Sequence, residues 1–192
     1  LDRVEAGLSV NNYRVTTYNQ LYNYSGTANV ITVVGPLVTA SPTGISGEFS
    51  LIVGDTTSVA IPGILLVGAD GRRWMRNIDG NVQMSWADAD RTGINDTTAK
   101  VQAILAYCRK QGGKSKILEW NTGTYRITGT LTLGTEQVIN FEPGVIIDFH
   151  APAPATTMLF SASNQRGVYL NGNGTIIKGN RGVYADGSAL HI

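Results

Sequence analysis

The sequence predicts a mainly β protein with a small N-terminal β-rich module, then a capping α-helix and the first coils of a parallel β-helix. Val and Ile contribute 32 of the 192 residues and Thr another 20, and these side chains fit a pleated strand well. A long helical pattern occurs at 97–111. The sequence after residue 117 is strand-like, which favours a solenoid whose open end is covered by that helix.

The composition and charge exclude several classes of protein. Charged residues make up 15% of the chain and apolar residues 42%, which favours a folded protein over a disordered one. The net charge of +1 gives no field that would attract nucleic acid or an anionic membrane. The longest apolar run, 59–69, contains Pro62 and Gly63 and is too short to span a bilayer. We therefore expect neither nucleic-acid binding nor membrane insertion.

The ends and the single cysteine add two expectations. The chain opens with neither a signal peptide nor an initiator Met, so we expect a soluble part of a longer polypeptide. Cys108 has no second cysteine to pair with, which excludes an intrachain disulfide and a cysteine-based metal cluster.

Residues 1–80 are predicted to form the β-rich module. Thr17 and Gln20 have the spacing of a capping box, which predicts a short helix near 17–23. Strands are expected at 29–34 and 48–53. An Asp-Gly pair at 70–71 between two apolar runs, 64–67 and 72–76, predicts a β-hairpin.

Residues 81–96 are predicted to be a linker, and the capping helix follows it in the region 97–192. Asp96 and Thr97 are the expected helix cap, with oxygens that can accept backbone N–H bonds. An apolar stripe at positions i, i+3, i+4 and i+7 marks the buried face of the helix, and its members are Val101, Ile104, Leu105 and Cys108. Gly112 and Gly113 are expected to end the helix.

A repeat in the second half favours successive coils of a parallel β-helix. Residues 138–147 can be aligned with 168–177 at an offset of 30 residues, so that Val, Gly, Ile and Ile coincide. Short strands at such a period are typical of a solenoid. We expect the coils to begin near Ile117 and a loop to leave the first coil over 150–164. Asn171-Gly172 keeps a β-sandwich with hairpin turns open as the alternative.

Two linked motifs resemble the opening of pectate-lyase-like right-handed β-helices. One is Gly93-Ile94-Asn95-Asp96-Thr97-Thr98-Ala99-Lys100-Val101-Gln102-Ala103, in which Thr97 stands where the family usually has Asp. The other is Gly112-Gly113 followed by Glu119-Trp120-Asn121-Thr122-Gly123-Thr124-Tyr125. Segments of the first module, including Gly54-Asp55-Thr56 and Ala69-Asp70-Gly71-Arg72-Arg73-Trp74, are similar to the N-terminal module of bacteriophage tailspikes.

This resemblance implies a homotrimeric spike on a phage tail, acting outside the cell at the host surface. Its N-terminal module would attach to a tail or baseplate protein of the virion. Its β-helix would bind and usually cleave a bacterial surface polysaccharide, as a lyase or a glycoside hydrolase. The catalytic carboxylates of that family generally lie further along the β-helix, so the resemblance implies that this stretch lacks them.

Several groups of polar residues are candidates for catalytic or metal-binding sites. Asp88, Asp90 and Asp96 could form a metal site, but entry into the helix explains them better. A glycoside hydrolase needs two carboxylates, and the candidates on or beside predicted strands are Glu119, Glu142 and Asp148. We interpret them instead as outward-facing residues that keep the surface soluble. His150 and His191 are far apart in the sequence and have no nucleophile nearby. We assign no catalytic, cofactor-binding or metal-binding residue and expect no cofactor.

A set of aromatic and basic residues is a candidate interface. Aromatic side chains are concentrated at protein contacts, and Arg72, Arg73 and Arg76 around Trp74 form the one basic cluster in the sequence. The candidate interface residues are Tyr18, Tyr22, Arg72, Arg73, Trp74 and Trp86.

Two other functions remain open from the sequence. The first is a secreted microbial pectate-lyase-like polysaccharidase that carries an N-terminal binding domain. The second is a structural fibre that binds glycans without cleaving them.

Overall fold

The computed structural model describes residues 12–35, 46–109, 115–150, 158–179 and 190–191. The chain divides into two compact units. The first comprises Leu1–Ala60 and Leu65–Asn77, and the second comprises Ile61–Ile64 and Ile78–Ile192. Among the described residues, no helix is both long and apolar enough to cross a membrane.

The first unit contains one five-stranded sheet with the strand order β1-β2-β3-β5-β4. Its elements are β1 (Asn12–Val15), α1 (Tyr18–Tyr22), β2 (Val30–Val33), β3 (Gly47–Leu51), β4 (Leu65–Val67) and β5 (Arg73–Arg76). Strands β1 and β2 are parallel, and the other neighbours are antiparallel. A parallel pair needs a crossover connection, and the segment that contains α1 provides it.

Two local predictions for this unit are confirmed. The hydroxyl oxygen of Thr17 accepts the N–H of Gln20 at 3.2 Å, and the side-chain oxygen of Gln20 accepts the N–H of Thr17 at 3.2 Å, which completes the capping box. The predicted hairpin is the antiparallel pair β4–β5, in which Leu66 lies opposite Trp74.

Alternation along the strands places one face of this sheet in a core. Ile31 and Val33 are fully buried, whereas Val30 and Thr32 between them are partly exposed. The core cluster comprises Val15, Leu21, Ala28, Ile31, Val33, Phe49, Leu66 and Trp74. The period of two residues that predicts strands therefore also identifies the buried side chains.

The second unit is a parallel β-helix built from three parallel sheets. Its strands are β6 (Val82–Gln83), β7 (Thr92–Asp96), β8 (Leu118–Trp120), β9 (Gly123–Ile127), β10 (Leu131–Thr132), β11 (Val138–Phe141), β12 (Val145–Phe149), β13 (Phe160–Ser161), β14 (Tyr169–Gly172), β15 (Ile176–Gly179) and β16 (Leu190–His191). The first sheet is β6-β8-β11-β14, the second is β7-β9-β12-β15 and the third is β10-β13-β16. Every strand pair that the structure describes in this unit is parallel, so the predicted fold is confirmed and the β-sandwich is not formed.

The β-helix begins earlier than the sequence predicts. Residues 81–96 are not a linker, because β6 pairs with β8 and β7 pairs with β9. The stack therefore starts at Val82 rather than near Ile117. Strand β6 has two residues and β7 contains an irregularity in its register, so neither has the alternating pattern that reveals a strand. The expected loop at 150–164 also contains β13, although residues 151–157 lie outside the described part of the chain.

The strands of the repeat pair at the predicted offset in the second sheet, but at an offset one residue larger in the first sheet. Ile146 lies opposite Ile176, at the predicted offset of 30. Val138 lies opposite Tyr169 rather than Val168. Phe141 pairs with Gly172, so the connection from Phe141 to Ile146 is one residue longer than the connection from Gly172 to Ile176, and this difference accounts for the shift. A shift of one residue exchanges the two faces of a strand.

Three aromatic rings pack in the core of the β-helix. Trp120 lies 5.5 Å from Tyr125, edge to face, and 5.2 Å from Phe141 between ring centroids. All three side chains are buried. The Tyr125 hydroxyl donates a hydrogen bond to the carbonyl oxygen of Asn121 at 2.7 Å, so the polar end of this ring has a partner as a buried tyrosine requires.

Helix α2 (Thr98–Cys108) follows β7 in the chain and packs beside β10 and a 3₁₀ helix at Met84–Ala87. Strand β10 is the first strand of the third sheet, so α2 covers the edge at which that sheet begins. The four residues of the predicted stripe, Val101, Ile104, Leu105 and Cys108, are fully buried. Burying a Val, Ile or Leu side chain stabilises the fold by roughly 1.5–3 kcal/mol.

The two predicted cap residues act differently. Asp96 accepts the backbone N–H of Thr98 at 3.0 Å. Thr97 occupies the N-cap position, but its hydroxyl makes no cap hydrogen bond and donates instead to the carbonyl oxygen of Arg126 at 3.0 Å. The side-chain cap expected of Thr97 is therefore wrong, because the neighbouring strand offers its hydroxyl an acceptor. The helix ends at Cys108, and Gly112 and Gly113 lie outside the described residues.

Candidate functional site

The outer face of the first sheet carries a row of polar side chains that are joined by hydrogen bonds. Glu119, Asn140 and Asn171 are register partners on β8, β11 and β14. Asn171 donates from Nδ2 to Oδ1 of Asn140 at 2.7 Å, and Asn140 donates from Nδ2 to Oε1 of Glu119 at 2.9 Å. Asn81 donates to the same oxygen at 2.7 Å. Parallel strands lie about 4.8 Å apart, so the row follows the direction of the stack.

A second group of hydrogen bonds lies at the turn after β8. Asn121 donates from Nδ2 to Gln83 at 2.9 Å and to Glu142 at 2.8 Å. The other oxygen of Glu142 accepts the N–H of Thr122 at 2.8 Å. This N–H is the main reason that the pKa of Glu142 lies below its ordinary value. Glu142 is therefore an ionised carboxylate that holds a turn in place.

The second sheet presents alternating charges on its outer face. Asp96, Arg126, Asp148 and Lys178 are register partners on four successive strands. His150 lies beside this row, with Nε2 at 2.9 Å from Oδ2 of Asp148. Opposite charges on neighbouring strands favour the parallel register, so this row has a structural explanation.

The three aspartates before and at the start of α2 each hold local structure. Asp88 contacts Lys100 at 3.0 Å. Asp90 accepts the N–H groups of Thr92 and Asn95, both at 2.8 Å. Burial acts to raise the pKa of Asp90, but these hydrogen bonds outweigh it and lower the pKa to about 2. In the described part of the chain, no three His, Cys, Asp or Glu side chains are arranged to hold a metal ion.

Two of the predicted interface residues, Arg72 and Trp74, are held by contacts within the first unit. Arg72 forms an ion pair with Asp70 at 2.6 Å and donates to the carbonyl oxygens of Gly26 and Tyr24. Its guanidinium lies 5.4 Å from the centroids of both the Tyr24 and Trp74 rings. Trp74 is fully buried. These contacts explain both residues without a partner protein.

The other predicted interface residues differ in exposure. Tyr22 is 43% exposed, whereas Tyr18 packs edge to face on Phe49 at 6.0 Å. Arg73 donates to the carbonyl oxygen of Ser58 at 3.3 Å. Trp86 belongs to the 3₁₀ helix of the second unit and is partly buried.

Gly63 lies close against the backbone of Trp86 within the second unit. Gly63 has φ of +68°, and a Cβ at this position would lie 1.8 Å from the carbonyl oxygen of Trp86. Only glycine fits this close approach. Of the aromatic residues among the six predicted interface residues, Tyr22 is the most exposed.

Sequence reasoning missed the outward row of the first sheet. Asn140 and Asn171 are both in the repeat, but the alignment at an offset of 30 placed Asn171 opposite Phe141. Tyr169, which is 60% exposed, lies on the same face as Asn171. An alignment with an offset of 31 for this strand would have brought Asn140 and Asn171 together.

Solved structures with similar folds are long proteins of which this chain matches a part. The tailspike protein gp49 of Acinetobacter baumannii bacteriophage Fri1, described as a capsular polysaccharide depolymerase, matches with a TM-score of 0.64 at 12% identity, over 92% of this chain and 34% of that one. The tailspike of Acinetobacter baumannii phage AM24 matches with a TM-score of 0.60 at 21% identity, over 86% of this chain and 28% of that one.

A bacterial protein has a similar fold. Pantoea stewartii WceF, described as a glycan biofilm modifying enzyme with a tailspike-like parallel β-helix, matches with a TM-score of 0.58 at 15% identity, over 87% of this chain and 27% of that one. No protein-family model matches the chain, and no curated protein sequence does so. The structural neighbours thus share a parallel β-helix fold, and the chain spans about a third or less of their length.

Proposed function

We propose that this chain is the N-terminal portion of a tailspike-type protein. The first unit attaches the spike to a tail or baseplate protein of a phage virion. The second unit starts the β-helix, which in the whole protein binds and depolymerises a bacterial surface polysaccharide. The spike is a homotrimer that acts at the host surface.

One observation carries this proposal: a separate β-rich unit precedes a stack of three parallel sheets, and the stack begins at Val82. The likeness to two tailspike structures supports it, since each match extends over more than four fifths of this chain.

Three of the described carboxylates serve local structure, which supports a location of the catalytic residues outside this portion. Glu142 holds the turn at Thr122, Asp90 holds the turn before β7, and Asp96 accepts a helix N–H. A glycoside hydrolase needs a pair of carboxylates free to act as acid and base or nucleophile. These three groups are already engaged with the backbone.

Two measurements test the proposal. Light scattering on the whole protein should give the mass of a trimer, and a monomer would contradict the assembly. Whole protein incubated with capsule or O-antigen should shorten the polysaccharide, whereas the 192-residue chain should not. Digestion by the 192-residue chain would show that the active site lies within it.

A bacterial glycan-modifying enzyme is the second candidate, because the fold of WceF is similar over 87% of this chain. Such an enzyme would cleave polysaccharide but would not bind to phage particles. A glycan-binding fibre would bind the polysaccharide and leave its length unchanged.

A further inference from the structure

We propose that the outer face of the first sheet binds a neutral saccharide through Tyr169, Asn171, Asn140 and Glu119. This inference deepens the proposed function and rests on it, since it gives the chain its own contact with polysaccharide, apart from the site of cleavage.

The position of these four residues follows from the register of the strands. On β11 and β8, Ile139, Phe141, Leu118 and Trp120 point into the core and are buried. Asn140 and Glu119 alternate with them and therefore point outward. Tyr169 and Asn171 lie on the outward side of β14 as the partners of Val138 and Asn140. The four side chains thus share one face.

The hydrogen bonds hold the polar row in one arrangement and leave some of its oxygen atoms able to accept further hydrogen bonds. Asn171 donates to Asn140, which donates to Oε1 of Glu119. Among the described residues, Oε2 of Glu119 and the Tyr169 hydroxyl have no hydrogen-bond partner. Such oxygens accept hydrogen bonds from hydroxyl groups. Because neighbouring side chains already fix the row, a ligand loses little of its binding energy in ordering these groups.

Tyr169 supplies the apolar part of the site. Its side chain is 60% exposed and lies two residues from Asn171, about 6.6 Å along the strand. The face of an aromatic ring carries partial negative charge, which suits the positively polarised C–H bonds on one side of a sugar ring. The hydroxyl groups of the same or the next sugar would then reach the amide row.

The charge of the row selects the class of saccharide. Glu119 is the one ionisable group other than Tyr169 among the four residues, and it is acidic. A uronic acid or a phosphate group at this place would be repelled, since like charges at close range are unfavourable. Hexoses and N-acetylhexosamines carry no such group and offer both donors and acceptors. The geometry therefore favours a neutral glycan.

Binding of defined oligosaccharides to the 192-residue chain tests this inference. The probes are a neutral oligosaccharide of hexose and N-acetylhexosamine and a matched oligosaccharide that contains uronic acid, each measured by titration calorimetry. We expect the neutral probe to bind more tightly. Tyr169→Ala should weaken its binding at least about tenfold, whereas Tyr169→Phe should retain it because the ring is kept.

The controls separate a binding role from a structural one. Tyr13 is a 50% exposed tyrosine of the first unit, and Tyr13→Ala should leave binding unchanged. Thermal unfolding should be the same for Tyr169→Ala and Tyr169→Phe if the ring serves only the ligand. Absence of binding, preference for the acidic probe, or unchanged binding by Tyr169→Ala would each overturn the inference. A trimeric whole protein that still depolymerises polysaccharide would then leave the proposed function standing.

Discussion

Gln102 and Thr132 are joined by two hydrogen bonds that copy the pairing of neighbouring strands. Oε1 of Gln102 accepts the N–H of Thr132 at 2.7 Å, and Nε2 donates to the carbonyl oxygen of Thr132 at 3.2 Å. Thr132 lies on β10, the first strand of the third sheet. A side-chain amide on α2 therefore satisfies the edge of a sheet that would otherwise offer unpaired groups to another chain.

Replacing Gln102 by Ala should destabilise the second unit modestly. The N–H of Thr132 would lose its partner, but both residues are accessible enough for water to replace it, so we expect a loss of about 0.5–1.5 kcal/mol. Gln102→Glu keeps the acceptor and should cost less, since Arg109 also donates to the Thr132 carbonyl at 2.6 Å. Urea unfolding followed by circular dichroism measures both. Equal stability of Gln102→Ala and the parent would contradict the role of this pair.

Replacing Gln137 should cost more than replacing Gln102. Gln137 is fully buried, donates to the carbonyl oxygen of Leu105 at 2.9 Å and accepts the N–H of Gly134 at 2.8 Å. In Gln137→Ala both backbone groups lose a partner that water cannot easily replace, and a buried unsatisfied group costs about 1–3 kcal/mol. The same urea experiment compares the two variants.

The comparison of these two glutamines has its own control. Gln165 is only partly buried, and its side chain bonds Thr135 at 2.6 Å and the carbonyl oxygen of Ser163 at 3.1 Å. Gln165→Ala should resemble Gln102→Ala rather than Gln137→Ala. A smaller loss for Gln137→Ala than for Gln102→Ala would show that burial does not determine the cost.

Sequence periodicity was sufficient for some elements and not for others. Helix α2 was predicted because its four buried residues repeat at helical spacing, and the hairpin β4–β5 because its turn chemistry is local. Strands β6 and β7 are not evident from the sequence. Strand β6 has only two residues and β7 has an irregular register, so neither shows an alternation of apolar and polar residues. The contact between Gln102 and Thr132 joins residues that are 30 positions apart through a side chain. The alternation of residues along a strand does not predict such a contact.

The candidate site was harder to predict than the fold. The repeat at an offset of 30 predicts the register of the second sheet correctly, since Ile146 lies opposite Ile176. In the first sheet the offset is 31, so the alignment put Asn171 on the wrong face. A shift of one residue reverses inside and outside along a strand, and a connection that is one residue shorter between the paired positions is enough to produce it.

Arg72→Lys should destabilise the first unit although it conserves the charge. Lysine can still pair with Asp70, but it lacks the planar fork with which Arg72 also reaches the carbonyl oxygens of Gly26 and Tyr24. We expect a loss of about 1.5–3 kcal/mol, the range for hydrogen bonds that involve charged groups. Thermal unfolding compares it with Arg14→Lys, a change at an exposed residue of β1. Equal effects of the two variants would contradict a structural role for Arg72.

Acid should destabilise the turn held by Asp90. The pKa of Asp90 is lowered from 3.8 to about 2 in the folded protein, so the ionised form stabilises the fold above pH 4. This contribution is lost as the pH falls from about 4 to 2, because the unfolded chain takes up the proton first. Asp90→Asn should show a weaker pH dependence in this window. Asp96 and Glu142 also have lowered pKa values, so some dependence should remain.

Cys108 provides a probe of the opening of α2. The thiol is fully buried in the stripe of the helix, and burial raises its pKa to about 12. Because the thiolate is the reactive form, a thiol reagent at pH 8 should react with the native protein far more slowly than with the protein unfolded in urea. Gln137 bonds the carbonyl oxygen of Leu105 on this helix, so Gln137→Ala should accelerate the reaction by favouring local opening. Cys108→Ser supplies the blank. Native protein that reacts as fast as unfolded protein would show that the helix does not cover this part of the β-helix.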